Sequence, residues 1–227
     1  MGDLGEQLAR TTTLTFDCYG TLIDWATGLA GAFREVFGSR VEEPLDALFD
    51  AYVRIEAEVE AEPYRTYREV VGLTLERMAA RLNRPLAPGK RDALAERLPG
   101  WTPFADVNDA LLRLRRRFRL GVLSNVDRGL FAGTTKHFSV AFDFLICAQD
   151  VRSYKPAPGH FERLRCQEGR LDHVVHVAQS LYHDGAAAEK LGLAFVWINR
   201  YEEVNKTDVR PLGEFVDLRS FADIACS

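Results

Sequence analysis

Between Leu120 and Ile198 the chain contains LGVLSN (120–125), FLICAQD (144–150), VVHVAQS (174–180) and AFVWI (194–198). Amphipathic stretches near 106–117, 128–137, 158–168 and 184–191 precede and separate these four short apolar runs. Apolar runs of this length without strict polar alternation predict strands buried on both faces, and so a parallel sheet with helices on either side. The fold class is therefore α/β, a doubly wound parallel sheet. Upstream, Leu14 to Asp17 forms one more predicted strand, followed at once by Gly20 and Thr21.

From about Thr27 to Leu98 the pattern is helical instead, with amphipathic stretches near 27–37, 43–61, 64–83 and 88–97. Gly38, Pro44, Pro63, Pro85, Pro88 and Gly100 punctuate them. A first strand that belongs to the sheet but is cut off from it by helices predicts a discontinuous core, residues 1–24 and 100–227. An all-helical cap, 25–99, is then inserted between its halves. Ligands of open α/β sheets bind beyond the carboxyl ends of the strands, so an insert leaving from just after the first strand would cover that site. The C-terminal segment after AFVWI reads as surface structure closing the core.

Composition narrows the function classes. The 227 residues are 47% hydrophobic and 27% charged, which excludes disordered and fibrous chains. Lys and Arg total 29 against 33 Asp and Glu, a net charge of -4, so no broad basic footprint for nucleic acid exists. The local run RLRRRFR (113–119) reads as a solvated helix end with Leu114 and Phe118 turned inward. No apolar run approaches the roughly 18 residues of a membrane span and the N-terminus lacks a secretory pattern, so the expected location is the cytoplasm, with no membrane partner. Cys18, Cys147, Cys166 and Cys226 form no C-x-x-C pair, so neither a disulfide framework nor a zinc knuckle is expected. His173 and His176 likewise lack zinc-ligand spacing.

Polar residues gather where the predicted strands end. Asp17 ends the first strand, Ser124 and Asn125 the second, Lys155 follows the third, and Ser180 and Asp184 follow the fourth. Each alone fits a cap or a turn. Together they place two carboxylates, hydroxyl and amide groups and an ammonium on one rim. A carboxylate, with an ordinary pKa of about 3.9, is ionised at neutral pH and can attack carbon or phosphorus directly. The ammonium would hold it ionised, Ser124 and Asn125 would bind an anionic substrate group, and Asp184 would position or deprotonate a water.

In order along the chain, FDCYGTLIDW (16–25), LSNVDR (123–128), SYKP (153–156) and SLYHD (180–184) resemble the four motifs of the haloacid dehalogenase superfamily. That family also inserts a helical cap after its first motif. Within it, the D-x-Y-G-T-L pattern most resembles the (S)-2-haloacid dehalogenases. The resemblance implies that Asp17 attacks the halogen-bearing carbon of a small halogenated carboxylic acid, that water then cleaves the aspartyl ester, and that a 2-hydroxy acid is released. It implies Asp17 as nucleophile, Thr21 as its hydrogen-bonding support, Ser124 and Asn125 as substrate contacts, Lys155 as electrostatic partner, Asp184 as water-positioning group and Tyr19 as pocket lining. Phosphatases of the superfamily usually carry a second Asp at the position of Tyr19, to protonate the departing alkoxide. Halide needs no such proton, so Tyr19 favours carbon–halogen displacement. No metal or other cofactor is expected, Mg²⁺ entering only if the protein is a phosphatase.

The chain departs from the family in three places, one of them Phe161, which stands where some relatives place a Tyr. No arginine falls squarely where the dehalogenases place their halide-binding cap arginine, and Arg54, about one turn further on, is the nearest substitute. Leu181, Tyr182 and His183 stand where many relatives have an Asn and a Trp, and His183 reads as a structural hydrogen-bonder. Two alternatives stay open: a hydrolase of the same scaffold acting on another substrate, either a Mg²⁺-dependent phosphatase or one displacing a non-halide leaving group from carbon, and a catalytically weak binding relative. Oligomeric state is open as well, a homodimer being one option because dimers are common among the relatives.

Overall fold

The computed structural model describes residues 4–38 and 44–227. Residues 1–3 of the expected core and residue 43, where a helical pattern begins, lie outside the described residues. A short helix α1 (Leu4–Arg10) leads into strand β1 (Thr13–Phe16). Four helices follow: α2 (Trp25–Phe37), α3 (Leu45–Glu60), α4 (Tyr67–Arg81) and α5 (Ala93–Arg97). The chain then runs through α6 (Val107–Leu114), β2 (Arg119–Ser124), α7 (Arg128–Thr134), β3 (Phe144–Cys147), α8 (Ala148–Val151) and α9 (Gly159–Glu168). It finishes with β4 (Val174–Ala178), α10 (Ala186–Lys190), β5 (Ala194–Ile198), β6 (Gly213–Phe215) and α11 (Leu218–Ala225).

All six strands are parallel, in the order β3-β2-β1-β4-β5-β6. Successive side chains point to opposite faces. Leu14, Phe16, Leu120, Val122, Val175 and Val177 accordingly pack with Val107, Leu111, Leu130 and Phe221 of α6, α7 and α11. On the other face Leu123, Ile146, Val174, Ala178 and Trp197 pack with Phe161, Leu164 and Ala188 of α9 and α10. On that second face β1 presents Thr13 and Thr15 and β4 presents His176, all fully buried. This polar seam lies at the centre of an otherwise apolar sheet.

The strand order reverses on either side of β1, the place where open α/β sheets bind ligands. The helical insert stands over it. Its two linkers run side by side, with Asp24 N donating to Thr102 O (2.9 Å) and Phe104 N to Leu22 O (3.1 Å). Asp24 caps α2 by accepting from Thr27 N at 3.1 Å. Gly20 makes the turn after β1 at φ +97°, a conformation in which a Cβ would be strained. Within the cap, Trp25 and Phe33 meet Phe49 and Tyr52 of α3 ring to ring. A capping box joins Thr66 and Glu69 at the start of α4.

The predicted strand 144–150 is corrected: β3 stops at Cys147 and the remaining residues turn into α8, because Asp150 accepts from Cys147 N and closes the first turn. The C-terminal segment is more than surface structure. It adds β6 beside β5, and α11 buries Leu218, Phe221, Ala222 and Ala225. Leu114 and Phe118 are buried as expected while Arg115, Arg116 and Arg117 are exposed.

Candidate active site

Register explains the meeting of the motifs. Phe16, the last residue of β1, lies beside Val122 of β2 and Val177 of β4, close to where those strands end at Ser124 and Ala178. Asp17, Ser124 and the segment from Gln179 to Asp184 therefore arrive on one rim. Lys155 reaches the same point from the loop after α8. Its ammonium donates to Asp17 Oδ1 (2.9 Å), Asp184 Oδ1 (2.7 Å) and Leu123 O (3.0 Å). A lysine has three N–H donors, and all are used here. Lys155 is 1% exposed.

The electrostatics follow from this burial. Burial alone would lower the Lys155 pKa, but the Asp17 and Asp184 carboxylates outweigh it and hold the ammonium well above the ordinary lysine value. Burial alone would raise Asp184, yet the Lys155 charge and the His176 hydrogen bond keep its carboxyl far below the usual range. Thr21 Oγ1 donates to Asp17 Oδ2 at 2.8 Å and accepts from Gln179 N at 3.0 Å, so the nucleophile candidate is held at both oxygens.

Asp184 lies in a single π-helical turn, Leu181–Gly185, for which Ser180 is the cap. Ser180 Oγ accepts from His183 N (3.0 Å) and meets His183 Nδ1 at 3.1 Å. Ser180 and His183 thus fix the turn that aims Asp184. Burial lowers the His183 pKa. Behind Asp184, His176 Nε2 lies 2.8 Å from Oδ1, and Thr15 Oγ1 lies 2.9 Å from His176 Nδ1. An ionised carboxylate only accepts, so Nε2 carries the hydrogen and the threonine hydroxyl supports the other nitrogen. Asp184 Oδ2 is buried without a partner among the described residues.

A cavity of about 460 Å³ opens above these groups. Asp17, Tyr19, Ser124, Asn125, Lys155, Ser180 and Asp184 all line it, and Glu56, Glu60 and Tyr67 form part of its cap side. Ser124 is 1% exposed and its Oγ has no partner among the described residues, which leaves it free for a ligand. Asn125 is committed elsewhere: its Oδ1 accepts from Lys155 N (2.7 Å) and its Nδ2 donates to Lys155 O (3.1 Å). It anchors the lysine loop and keeps one N–H over. The Tyr19 hydroxyl pairs with Thr134 Oγ1 at 2.8 Å, and burial pushes the phenol up, away from any role as an acid.

Arg54 is not brought to the cavity. Tyr52, Glu56 and Glu60 follow a four-residue spacing along one face of α3, and Arg54, two residues out of that phase, is exposed. The residues not anticipated from sequence are His176, Thr15, Glu56, Glu60 and Asp127. Of these only His176 left a signal, a polar residue in the middle of the apolar run VVHVA. Asp127 accepts from Tyr67 N and Arg68 N, each at 2.9 Å, and so ties the start of α4 to the core.

This sheet order, this cap and this carboxylate–ammonium–carboxylate bridge define a capped α/β hydrolase. A family model described as haloacid dehalogenase-like hydrolase matches residues 11–192, and the chain belongs to that family. An (S)-2-haloacid dehalogenase of Pseudomonas putida and one of Pseudomonas fluorescens are each 30% identical over 114 residues, 48% of this chain and 50% of theirs. The match thus spans about half the length of these curated relatives. A crystal structure of an L-2-haloacid dehalogenase superposes with a TM-score of 0.82 at 23% identity, covering 96% of this chain and 99% of that one. The L-2-haloacid dehalogenase of Xanthobacter autotrophicus, solved with chloropropionic acid covalently bound, gives 0.81 at 15% identity over 94% and 98%. At these identities the superpositions establish the fold. No helix among the described residues is long and apolar enough to cross a membrane.

Proposed function

We propose that this protein hydrolyses small (S)-2-haloalkanoic acids to 2-hydroxy acids through an ester on Asp17, with residues 25–99 acting as the cap over a core of 1–24 and 100–227. The observation that carries this reading is Tyr19. It stands two residues after the nucleophile and its hydroxyl is tied to Thr134, so that position offers no acid to protonate an alkoxide. A halide leaves without one. The relatives named as (S)-2-haloacid dehalogenases point to the same reaction, as does the covalent chloropropionic acid adduct of the Xanthobacter enzyme.

Asp17 attacks the carbon bearing the halogen; the new C–O bond forms as the C–X bond breaks, and halide departs with the electron pair. Ser124 Oγ, with the remaining Asn125 N–H, holds the substrate carboxylate. The free Oδ2 of Asp184 then receives the water that attacks the ester carbonyl, while Lys155 offsets the negative charge on both carboxylates. Asp17 and Asp184 are oxygen donors of the kind Mg²⁺ takes. Lys155 bridges their Oδ1 atoms, Thr21 holds Asp17 Oδ2 and Tyr19 adds no carboxylate, so of these two aspartates only Asp184 Oδ2 is uncommitted, too few oxygen donors for a good fit to that ion. The proposed reaction has no metal step.

The test is halide release from (S)-2-chloropropionate, chloroacetate and fluoroacetate in EDTA, beside p-nitrophenyl phosphate with Mg²⁺, for wild type and Asp17→Asn. Metal-independent halide release, abolished in the variant, is expected. Phosphate release that needs Mg²⁺, with no halide from any acid, would overturn the reading.

A further inference from the structure

Among the described residues no arginine lines the cavity; its basic side chains are Lys155, which the two aspartates hold, and Lys206. The cap side presents two carboxyl groups instead. Glu56 and Glu60 lie four residues apart on α3, one above the other, and both line the cavity that Asp17 and Lys155 floor. Their surroundings differ. Glu56 Oε1 accepts from both the Tyr52 hydroxyl (2.7 Å) and the Tyr67 hydroxyl (2.9 Å). The Glu60 carboxyl has no hydrogen-bond partner among the described residues.

Burial, and then the neighbouring Glu56 charge, push Glu60 well above the ordinary carboxylate range, with Lys155 pulling back by less. Burial raises Glu56 as well, but its two phenol donors oppose the rise. Paired carboxyls whose environments divide them in this way take different protonation roles. Glu60 is half-buried, and the fully buried, unpartnered Ser124 Oγ lines the same cavity.

The geometry points to Glu60 as a catalytic residue whose carboxyl O–H donates a hydrogen bond to the leaving group while the bond to Asp17 forms. The inference rests on the proposed attack by Asp17. The proton stays on Glu60 and the leaving group takes the electron pair of the broken bond. In the later hydrolysis one water hydrogen goes to the product hydroxyl and the other to solvent, so the cycle releases halide and a proton. Fluoride concentrates charge on the smallest atom and gains most from the donor, chloride less. An ionised Glu60 would instead set a like charge beside the departing anion.

The sign of the pH dependence follows. Glu60 shares the cavity with Glu56 on its own helix, Tyr67 from α4, Lys155 from the loop after α8, Asp17, Tyr182, His183 and Asp184 on the floor, and Tyr201, Glu203 and Lys206 from the segment after β5, and Tyr154 stands close to it. Burial holds the Tyr67 and Tyr154 phenols far up, the Asp17 and Asp184 carboxylates hold Lys155 up, and burial holds His183 down. Activity should therefore be full below the raised Glu60 pKa and fall as pH rises through it.

The experiment is kcat/KM against pH for fluoroacetate and chloroacetate, with ethyl and p-nitrophenyl phosphate as a second pair, in wild type, Glu60→Gln and Glu60→Ala. Wild type should lose about tenfold per pH unit on the alkaline limb. Glu60→Gln, whose amide still donates, should lose that limb and keep much of the low-pH rate. Glu60→Ala should lose about 10²–10³-fold with fluoroacetate, as when one donor to a developing anion is removed, and clearly less with chloroacetate. An alkaline limb that survives in Glu60→Gln, or an equal loss for both leaving groups in Glu60→Ala, would overturn the role. If only the phosphates react, the dehalogenase reading fails and Glu60 is judged by the same comparison of the poorer ethyl with the better p-nitrophenyl leaving group. Turnover of neither pair overturns both.

Discussion

Asp184 shows how much of the chemistry is decided at a single side chain. Its Oδ1 accepts from Lys155 and His176, while Oδ2 is left bare in a buried setting. One oxygen is held in position and the other is left for the water of the proposed hydrolysis. Asp184→Asn preserves the shape and replaces the free carboxylate oxygen proposed to hold the water with an amide, so ester formation should continue while its hydrolysis slows by about 10²–10⁴-fold. Intact-protein mass spectrometry of the variant after (S)-2-chloropropionate should then show the adduct; halide release at the wild-type rate with no adduct would contradict the assignment. Asp17, Lys155 and Asp184 were legible in sequence because a reactive residue after each of several strands converges on one rim. His176 was not, since its partner is met only when β4 and the following π-helical turn bring two residues eight positions apart into contact. Asn125 was placed correctly on the rim, but its hydrogen bonds to both backbone groups of Lys155 are set by the folded loop.

Among the elements, α3 and α4 decide what the cap presents to the site. The helical phase that brings Tyr52, Glu56 and Glu60 inward turns Arg54 out, which is why a linear offset from the family pattern misplaced the anion contact. The helices themselves were legible from their periodicity and their proline and glycine punctuation. The strand β6 was not: it has three residues, Gly213, Glu214 and Phe215, too few for a pattern, and it exists through its pairing with β5. The latch between cap and core is also an element-scale feature. Asp127 stands just past β2 and satisfies two N–H groups at the first turn of α4, where a helix has donors without internal partners. Asp127→Ala strands both, and the expected loss is about 1–2 kcal/mol of stability, as for other helix caps. Urea unfolding measures it, and an unchanged midpoint would mean that the latch contributes nothing.

Across the whole molecule, a parallel sheet supplies a rim and an all-helical insert stands over it, and the cavity between them brings together Asp17, which follows β1, and Glu56 and Glu60 of α3. The α/β class and the inserted cap were legible because apolar runs without strict alternation and 3.6-residue periodicity occupy separate parts of the chain. The acidic character of the cavity wall was hidden, because Glu56 and Glu60 look like ordinary solvated helix residues until the core closes against them. The central claim is a covalent ester on Asp17, and a single turnover in H₂¹⁸O with enzyme in excess over (S)-2-chloropropionate tests it most directly. Water attacking the ester carbonyl leaves its oxygen in the Asp17 carboxylate, so peptide mass spectrometry should find the label at Asp17 and none in the first-turnover product. Label in the hydroxyl of that product, with Asp17 unlabelled, would contradict the account.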